Sequence, residues 1–472
     1  MQLKEWKYQA DGDCYCMEGL VYCDKPLDPG KQSMNIYVPA AYIRGESLTT
    51  RHCATYTAKT VPVVYYNNVG GYAECRPAPL TMRNRRFLED GYVLVSAGAR
   101  GRQTVDENGE SVGKSPAGLV DLKAGIRFLR RFADSLPGDM NKIVSVGTSA
   151  GGAMSSLLGV TGNSGNYLPY LKEIGAAQER DDIFAAQCYC PIINLENADM
   201  AYEWMFGCKQ IYRMFPHMPV GVLSPAQKAI SRDLAAQFPA YINSLSLGLT
   251  LSEDGRSGSY YDALMDALSA SVNKFLDIHG KTTEEKTALV EEINGGGDLI
   301  QWDGENAKIT DLDKYVRIYI DRMKECPSFD GLFCRTPENE VFGFKGRPFT
   351  HFDRRLAALV AEGRYDSLPG FNPADKASYA VAEENEELQR RVYLYNPMNY
   401  LGTEEKSDIA PHIRIRLGSR DADTSFGIAF TLAQKLKAIG HPDTDYALIW
   451  GRGHCDADYA GEFSEWVDRI TR

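Results

Sequence analysis

The stretch KIVSVGTSAGGAMSSLLGV, residues 142–160, decides how the rest of the chain is read. KIVSV is a short apolar run with the look of a buried strand. GGAMSSLLGV is built of small and apolar residues and reads as a helix. Ser149 therefore stands where a strand turns sharply into a helix, between Gly147 and Gly151. Glycines at such a turn let strand and helix approach closely. The strained corner then lifts the serine hydroxyl above the sheet and turns the N–H of Ala150 toward the place where an oxyanion would form. Ser149 is thus a candidate nucleophile that needs a base to take its proton and donors for the charge it creates.

Working outward, further apolar runs occur at 61–66 (VPVVYY), 92–98 (YVLVSAG), 185–193 (AAQCYCPII), 412–418 (HIRIRLG) and 446–451 (YALIWG). Amphipathic stretches separate several of them. In GLVDLKAGIRFLRRFAD the residues Leu122, Ile126, Leu129 and Ala133 share one helical face, and SFGIAFTLAQKLKAIGHP runs from a Ser start to a Gly–His–Pro stop. Strands alternating with helices predict an α/β fold, a mostly parallel sheet covered by helices on both faces. Residues 206–395 break this rhythm with polar amphipathic segments, a glycine run and an acidic stretch. They are expected to form a large, mainly helical inserted cap, with 1–205 and 396–472 making the core. Such a cap would cover the carboxyl ends of the strands, where open parallel sheets hold ligands.

The same logic places the partners of Ser149. YYNNVGGY (65–72) follows an early strand and supplies a glycine pair, so Gly70 or Gly71 is expected to give the second oxyanion donor; a plain tight turn is the alternative. In this architecture an acid and then a histidine follow the serine along the chain, each in a loop after a late strand. His454, in WGRGHCD, satisfies this; His52, His217, His279, His351, His412 and His441 read as surface or packing residues. The acid is Asp421 or Asp423, and spacing does not choose between them. Asp423 is also positioned to cap the following helix.

Composition narrows the classes. The 472 residues are 44% hydrophobic and 24% charged, with a net charge of −11 and no basic cluster beyond local pairs, which argues against nucleic acid and anionic membrane as partners. No signal-like or membrane-spanning run is visible, so a cytoplasmic location is expected, with an export signal removed beforehand as the alternative. The eleven cysteines are expected to be reduced thiols, with Cys188 and Cys190 structural because no histidine lies near them in the sequence. DGENAKITD (303–311) lacks the ligand spacing of a calcium loop and reads as a turn. No cofactor or metal is expected, and nothing in the sequence sets an oligomeric state.

Taken together, NNVGGY, GARGR (98–102), GTSAGG, MKECPSFD (323–330) with TPENEVFG (336–343), and RDADTSF before GRGHCD resemble the bacterial tannases, over nearly the whole chain. The resemblance implies an α/β-hydrolase core with an inserted cap, a Ser149–Asp421–His454 triad, and a small aromatic ester as substrate. It also implies that Lys324, Glu338 and Asp423 contact the phenolic hydroxyls of a galloyl group. Without it, Lys324 and Glu338 would read as ordinary surface charges. Fungal relatives link serine and histidine through cysteines; here Thr148 precedes Ser149, so Cys455 lacks that partner and no such disulfide is expected. The competing functions are a feruloyl or general aromatic esterase, a peptidase of the same fold, and a binding protein on a hydrolase scaffold.

Overall fold

The structure, a computed structural model, describes residues 1–215 and 217–472. Its centre is a nine-stranded sheet. In chain order the strands are β1 (Lys7–Gln9), β2 (Cys14–Val21), β3 (Ser33–Pro39), β4 (Pro62–Asn67), β5 (Val93–Ala97), β6 (Asp139–Thr148), β7 (Ala185–Tyr189), β8 (His412–Gly418) and β9 (Asp443–Ile449). Their order across the sheet is β1-β2-β3-β5-β4-β6-β7-β8-β9. The first three strands join antiparallel, and every pairing from β5 to β9 is parallel.

Apart from the half-buried edge strand β9, the parallel part is largely buried on both faces, which is why its strands read as near-continuous apolar runs. Val93–Ala97 and Ala185–Tyr189 are buried at every position. Helices cover both sides of the sheet, as an α/β-hydrolase fold requires. The core helices are α1 (Met82–Glu89), α2 (Ala117–Arg131), α3 (Ala150–Val160), α4 (Leu195–Phe206), and, late in the chain, α5 (Phe426–Ala438) and α6 (Glu462–Thr471). Helix α3 is buried along its whole length, so its small and apolar composition is explained by position rather than by amphipathicity.

Between α4 and β8 the chain adds no described strand to this sheet. It forms helices and two small hairpins, Ile211–Tyr212 with Gly221–Val222 and Gln301–Trp302 with Ala307–Lys308. The second hairpin turns at Asp303, whose carboxylate accepts the N–H groups of Glu305 and Asn306. Not all of this region stands over the strand ends. The 21-residue helix Ser259–His279 packs against β9, and Tyr260 on it hydrogen-bonds the Gly427 carbonyl and Thr431 of α5. Part of the insertion therefore buttresses the sheet.

Register brings the functional loops to one level. Tyr66 pairs with Val146, Thr148 with Tyr189, Arg416 with Tyr189, and Gly418 with Ile449. The segments after β4, β6, β7, β8 and β9 consequently leave the sheet at the same edge.

Candidate active site

Ser149 has φ 65° and ψ −126°, a left-handed conformation that a side-chain-bearing residue adopts only when its surroundings enforce it. The enforcement is visible. Its N–H donates to the Tyr189 carbonyl of β7 at 3.0 Å, and its carbonyl accepts from Ala153 at 2.9 Å. A Cβ on Gly147 would lie 2.2 Å from the Gly151 carbonyl oxygen; one on Gly152 would lie 2.4 Å from that of Tyr189. Only glycine allows strand and helix to meet this closely. Asn67, the last residue of β4, ties the corner from the other side: its Nδ2 donates to the carbonyls of Val146 and Gly151 and to Ser155 Oγ, at 3.2–3.3 Å.

Ser149, His454 and Gly70 line one cavity of about 520 Å³, together with Asn68, Thr148, Arg83, Arg452 and Asp456. His454 Nδ1 faces Asp421, 2.9 Å from Oδ2 and 3.1 Å from Oδ1, while Asp423 Oδ2 is 3.9 Å away. Asp421 is fully buried, and its Oδ1 also accepts the Asp423 N–H at 2.9 Å. Asp423 does not cap α5; Ser425 does, its Oγ accepting the Gly427 N–H. The other imidazole nitrogen, Nε2, is buried and has no hydrogen-bond partner among the described residues, so it is free to accept a proton. Burial pulls the His454 pKa down, but the charge and hydrogen bond of Asp421 and the charge of Asp423 outweigh it, leaving the imidazole above its ordinary value.

The two segments expected to supply oxyanion donors both reach the site. Ala150 opens α3, so its N–H belongs to the first turn and has no acceptor within the helix. Gly70 lines the cavity with open space around its Cα. Gly71, at φ 52°, turns its carbonyl to the guanidinium of Arg102 at 2.8 Å.

The three charged residues expected to meet phenolic hydroxyls come from distant segments; Asp423 and Lys324 both act on the histidine, and Glu338 feels the charges of those two. Glu338 is buried in the short helix Pro337–Val341, capped by Thr336. Burial pushes its carboxyl up, against the pull of Lys324, and Asp423 adds repulsion. Lys324 also acts on His454, and its ammonium sits 4.0 Å from the centre of the Phe329 ring. The segment bearing Lys324 is anchored: the Arg322 guanidinium donates to the Lys324 carbonyl and makes a fully buried bidentate pair with Glu203 of α4. The Tyr202 hydroxyl accepts the Lys324 N–H at 3.2 Å and donates to the Ala422 carbonyl at 2.8 Å, joining the cap segment to the Asp421–Asp423 loop.

One neighbourhood is not visible in the sequence. The sulfur of Cys190, read as structural because no histidine lies near it along the chain, a carboxylate oxygen of Asp421 and a ring nitrogen of His454 lie within 4.8 Å of one another. The proximity is made across strands, by β7, β8 and β9 ending side by side. These atoms have the identities of a metal-binding set, but burial and Asp421 push the Cys190 thiol well up, so it stays protonated against the carboxylate. Nδ1 of His454 is committed to Asp421, and the group reads as a hydrogen-bond network. Asn67, Tyr202 and the Glu203–Arg322 pair were likewise absent from the sequence reading, since each acts through contacts far along the chain.

Known proteins agree with this architecture. The BD-FAE profile, an esterase-type hydrolase family, matches residues 54–188. No curated protein sequence matches the chain. Among solved structures, the tannin acyl hydrolase of Lactobacillus plantarum is 35% identical, with a TM-score of 0.81, over 97% of this chain and 94% of its own. The tannase of Fusobacterium nucleatum is also 35% identical at a TM-score of 0.81, over 97% and 95%. A tannin acyl hydrolase solved in complex with ethyl gallate has the same identity and TM-score, over 97% and 94%. At this identity over nearly the full length, the chain belongs to the tannase family of carboxylic ester hydrolases.

Proposed function

We propose that the protein is a serine esterase that hydrolyses galloyl and related polyhydroxybenzoyl esters through an acyl-enzyme. The observation that supports this most is the joint position of Ser149 at its strained corner and the unpartnered Nε2 of the Asp421-bound His454 on one cavity wall. Nε2 takes the proton from Ser149 Oγ as the oxygen attacks the ester carbonyl. The tetrahedral oxyanion is held by the N–H of Ala150 and by that of Gly70 or Gly71. The C–O bond to the alcohol then breaks, the alcohol leaves with the proton returned from His454, and water repeats the sequence to free the acid. Among the described residues no hydrogen bond joins Ser149 to His454; catalytic contacts of this kind form fully only around the reacting groups.

Lys324, Glu338 and Asp423 would meet the ring hydroxyls. Three adjacent hydroxyls are donors and acceptors at fixed angles, which two carboxylates and an ammonium can satisfy together. A ring without them would leave buried charges unpaired, so discrimination of about 10⁴-fold is within reach.

Steady-state kinetics on methyl gallate, methyl ferulate and methyl benzoate tests both parts. Ser149→Ala and Asp421→Asn are expected to lose turnover on all three. Asp423→Asn and Glu338→Gln are expected to lose preference for the trihydroxy ring. Equal turnover of the three esters by the parent enzyme would instead identify a general aromatic esterase, and unchanged turnover by Ser149→Ala would remove the serine mechanism.

A further inference from the structure

Resting on that reading, we infer that Arg102 is a positioning residue that ties the oxyanion loop to the helix of Glu338, so that ring hydroxyls and ester carbonyl of a galloyl group are met at one fixed separation. Arg102 closes the motif GARGR, in the loop after β5. The other arginine of that motif belongs to the core. Arg100 donates through Nε and Nη2 to the two oxygens of buried Asp121 on α2, and through Nη1 to the Val112 carbonyl.

Arg102 holds two neighbours at once. Toward the oxyanion loop, its Nε donates to the Gly71 carbonyl at 2.8 Å and its backbone N–H to the Tyr72 carbonyl at 2.9 Å. The preceding peptide is held as well, because the Ala73 N–H donates to the Gly70 carbonyl at 2.9 Å. Toward the inserted region, Nη1 of Arg102 pairs with the Glu340 carboxylate, on the helix Pro337–Val341 and two residues beyond Glu338. The backbone around this joint is fixed too. The Lys114 ammonium donates to the carbonyls of Arg102 at 2.8 Å and Pro348 at 3.2 Å, and the Ser115 N–H donates to the Val341 carbonyl at 2.9 Å. The charges register how close the parts lie: Arg102 acts on Glu338, and Glu338 acts on the hydroxyl of Tyr72, the neighbour of Gly71. That hydroxyl donates to the Ile192 carbonyl at 2.5 Å, and the Ile192 N–H donates to the Ser149 carbonyl at 3.3 Å, so the same loop is moored to the nucleophile corner.

The shape of the acyl group gives this tie its meaning. Ring and ester carbonyl are conjugated and planar, so the hydroxyls stand at a set distance from the carbonyl oxygen. Groups that grip the hydroxyls assist the reaction only if they stand at the matching distance from the oxyanion donors. Asp423 shares the loop of Asp421, and Lys324 is joined to that loop through Tyr202. Glu338 is set against the oxyanion loop by Arg102. The rigid fork of a guanidinium spans a carbonyl and a carboxylate together, which the single ammonium of a lysine does not reproduce.

The test measures kcat and KM on methyl gallate and on 4-nitrophenyl acetate, whose acyl group has no ring for the helix to hold. The proteins are the parent, Glu340→Gln, Arg102→Lys, Glu338→Gln and the Glu338→Gln, Glu340→Gln double variant. Glu340→Gln is expected to lower kcat on methyl gallate by about 10-fold, short of the roughly 100-fold that a misplacement of about 1 Å costs, with KM changed by less than about 2-fold. On 4-nitrophenyl acetate it should lose less than about 2-fold, which also shows that the variant is folded. Arg102→Lys frees the Gly71 carbonyl as well, so it should lower kcat on both esters, and on methyl gallate more. Once Glu338→Gln has released the ring, adding Glu340→Gln should cost less than about 2-fold further. Equal losses on the two esters for Glu340→Gln, a loss confined to KM, an undiminished loss in the Glu338→Gln background, or no loss at all overturns the inference. Any of these in a parent that prefers methyl gallate to methyl benzoate leaves galloyl ester hydrolysis intact; a parent that turns both over equally removes the underlying reading.

Discussion

Tyr202→Phe isolates the joint between the inserted region and the catalytic loop. The phenol ring is buried, stacked on Phe206 at 4.5 Å between centroids and edge-on to Phe329 at 6.1 Å. Phenylalanine keeps those contacts and removes only the hydroxyl. That oxygen makes two hydrogen bonds, accepting from Lys324 N–H and donating to the Ala422 carbonyl. Each contributes about 0.5–1.5 kcal/mol net, so the substitution costs about 1–3 kcal/mol. Arg322 still anchors the Lys324 carbonyl, so the segment should loosen rather than unfold.

The loss should appear where the joint matters. If Lys324 and Asp423 grip the same phenolic ring, loosening the link between their loops weakens contacts to the ring hydroxyls and leaves Ser149, Asp421 and His454 in place. At about 1.4 kcal/mol per factor of ten, 1–2 kcal/mol of this reaching the transition state lowers kcat/KM on methyl gallate by about 5- to 30-fold. Methyl benzoate, lacking those hydroxyls, should lose less than about 2-fold, since little of the same free energy reaches it. Equal losses on the two esters would mean that Tyr202 supports the triad or the fold at large, and no loss on either would mean that the two loops hold their places without it.

Two further outcomes bear on the site. The base form of His454 is the neutral imidazole, and its pKa is raised chiefly because Asp421, and secondarily Asp423, outweigh burial; the acid limb of kcat/KM should therefore lie above pH 6.5. Asp423→Asn, assayed on methyl benzoate to avoid the ring contacts, should move that limb to lower pH, and a limb that stays fixed would show that Asp423 does not act on the imidazole. Gly147→Ala would force a Cβ within 2.2 Å of the Gly151 carbonyl oxygen and 2.5 Å of Asn67 Nδ2. Overpacking of this kind costs at least about 1–3 kcal/mol, read as a lower denaturation midpoint with turnover lost on every ester; a fully active, equally stable variant would contradict the close approach at the corner.

What the sequence made legible was local. The Ser149 corner could be read because strand, glycines and helix are contiguous, and the loops of Asp421 and His454 because each directly follows an apolar run. The choice between Asp421 and Asp423 could not be read, because two residues of spacing say nothing about which carboxylate turns inward. It takes the full burial of Asp421 and its 2.9 Å contact with Nδ1, and the displacement of Asp423 from the helix cap by Ser425, to separate them. The surroundings of Cys190 were hidden for a related reason: Cys190, Asp421 and His454 are far apart in the chain and meet only because β7, β8 and β9 end together. The bonds that join the insertion to the core were hidden in the same way. Tyr202, Glu203 and Arg322 look like an unremarkable helix face and a stray cation in sequence, yet they fix the position of Lys324. A pattern within a few residues encodes what the backbone must do locally. Which side chains then share a cavity is set by the order of strands across the sheet, and that order, β5-β4-β6-β7-β8-β9, is a property of the packed whole.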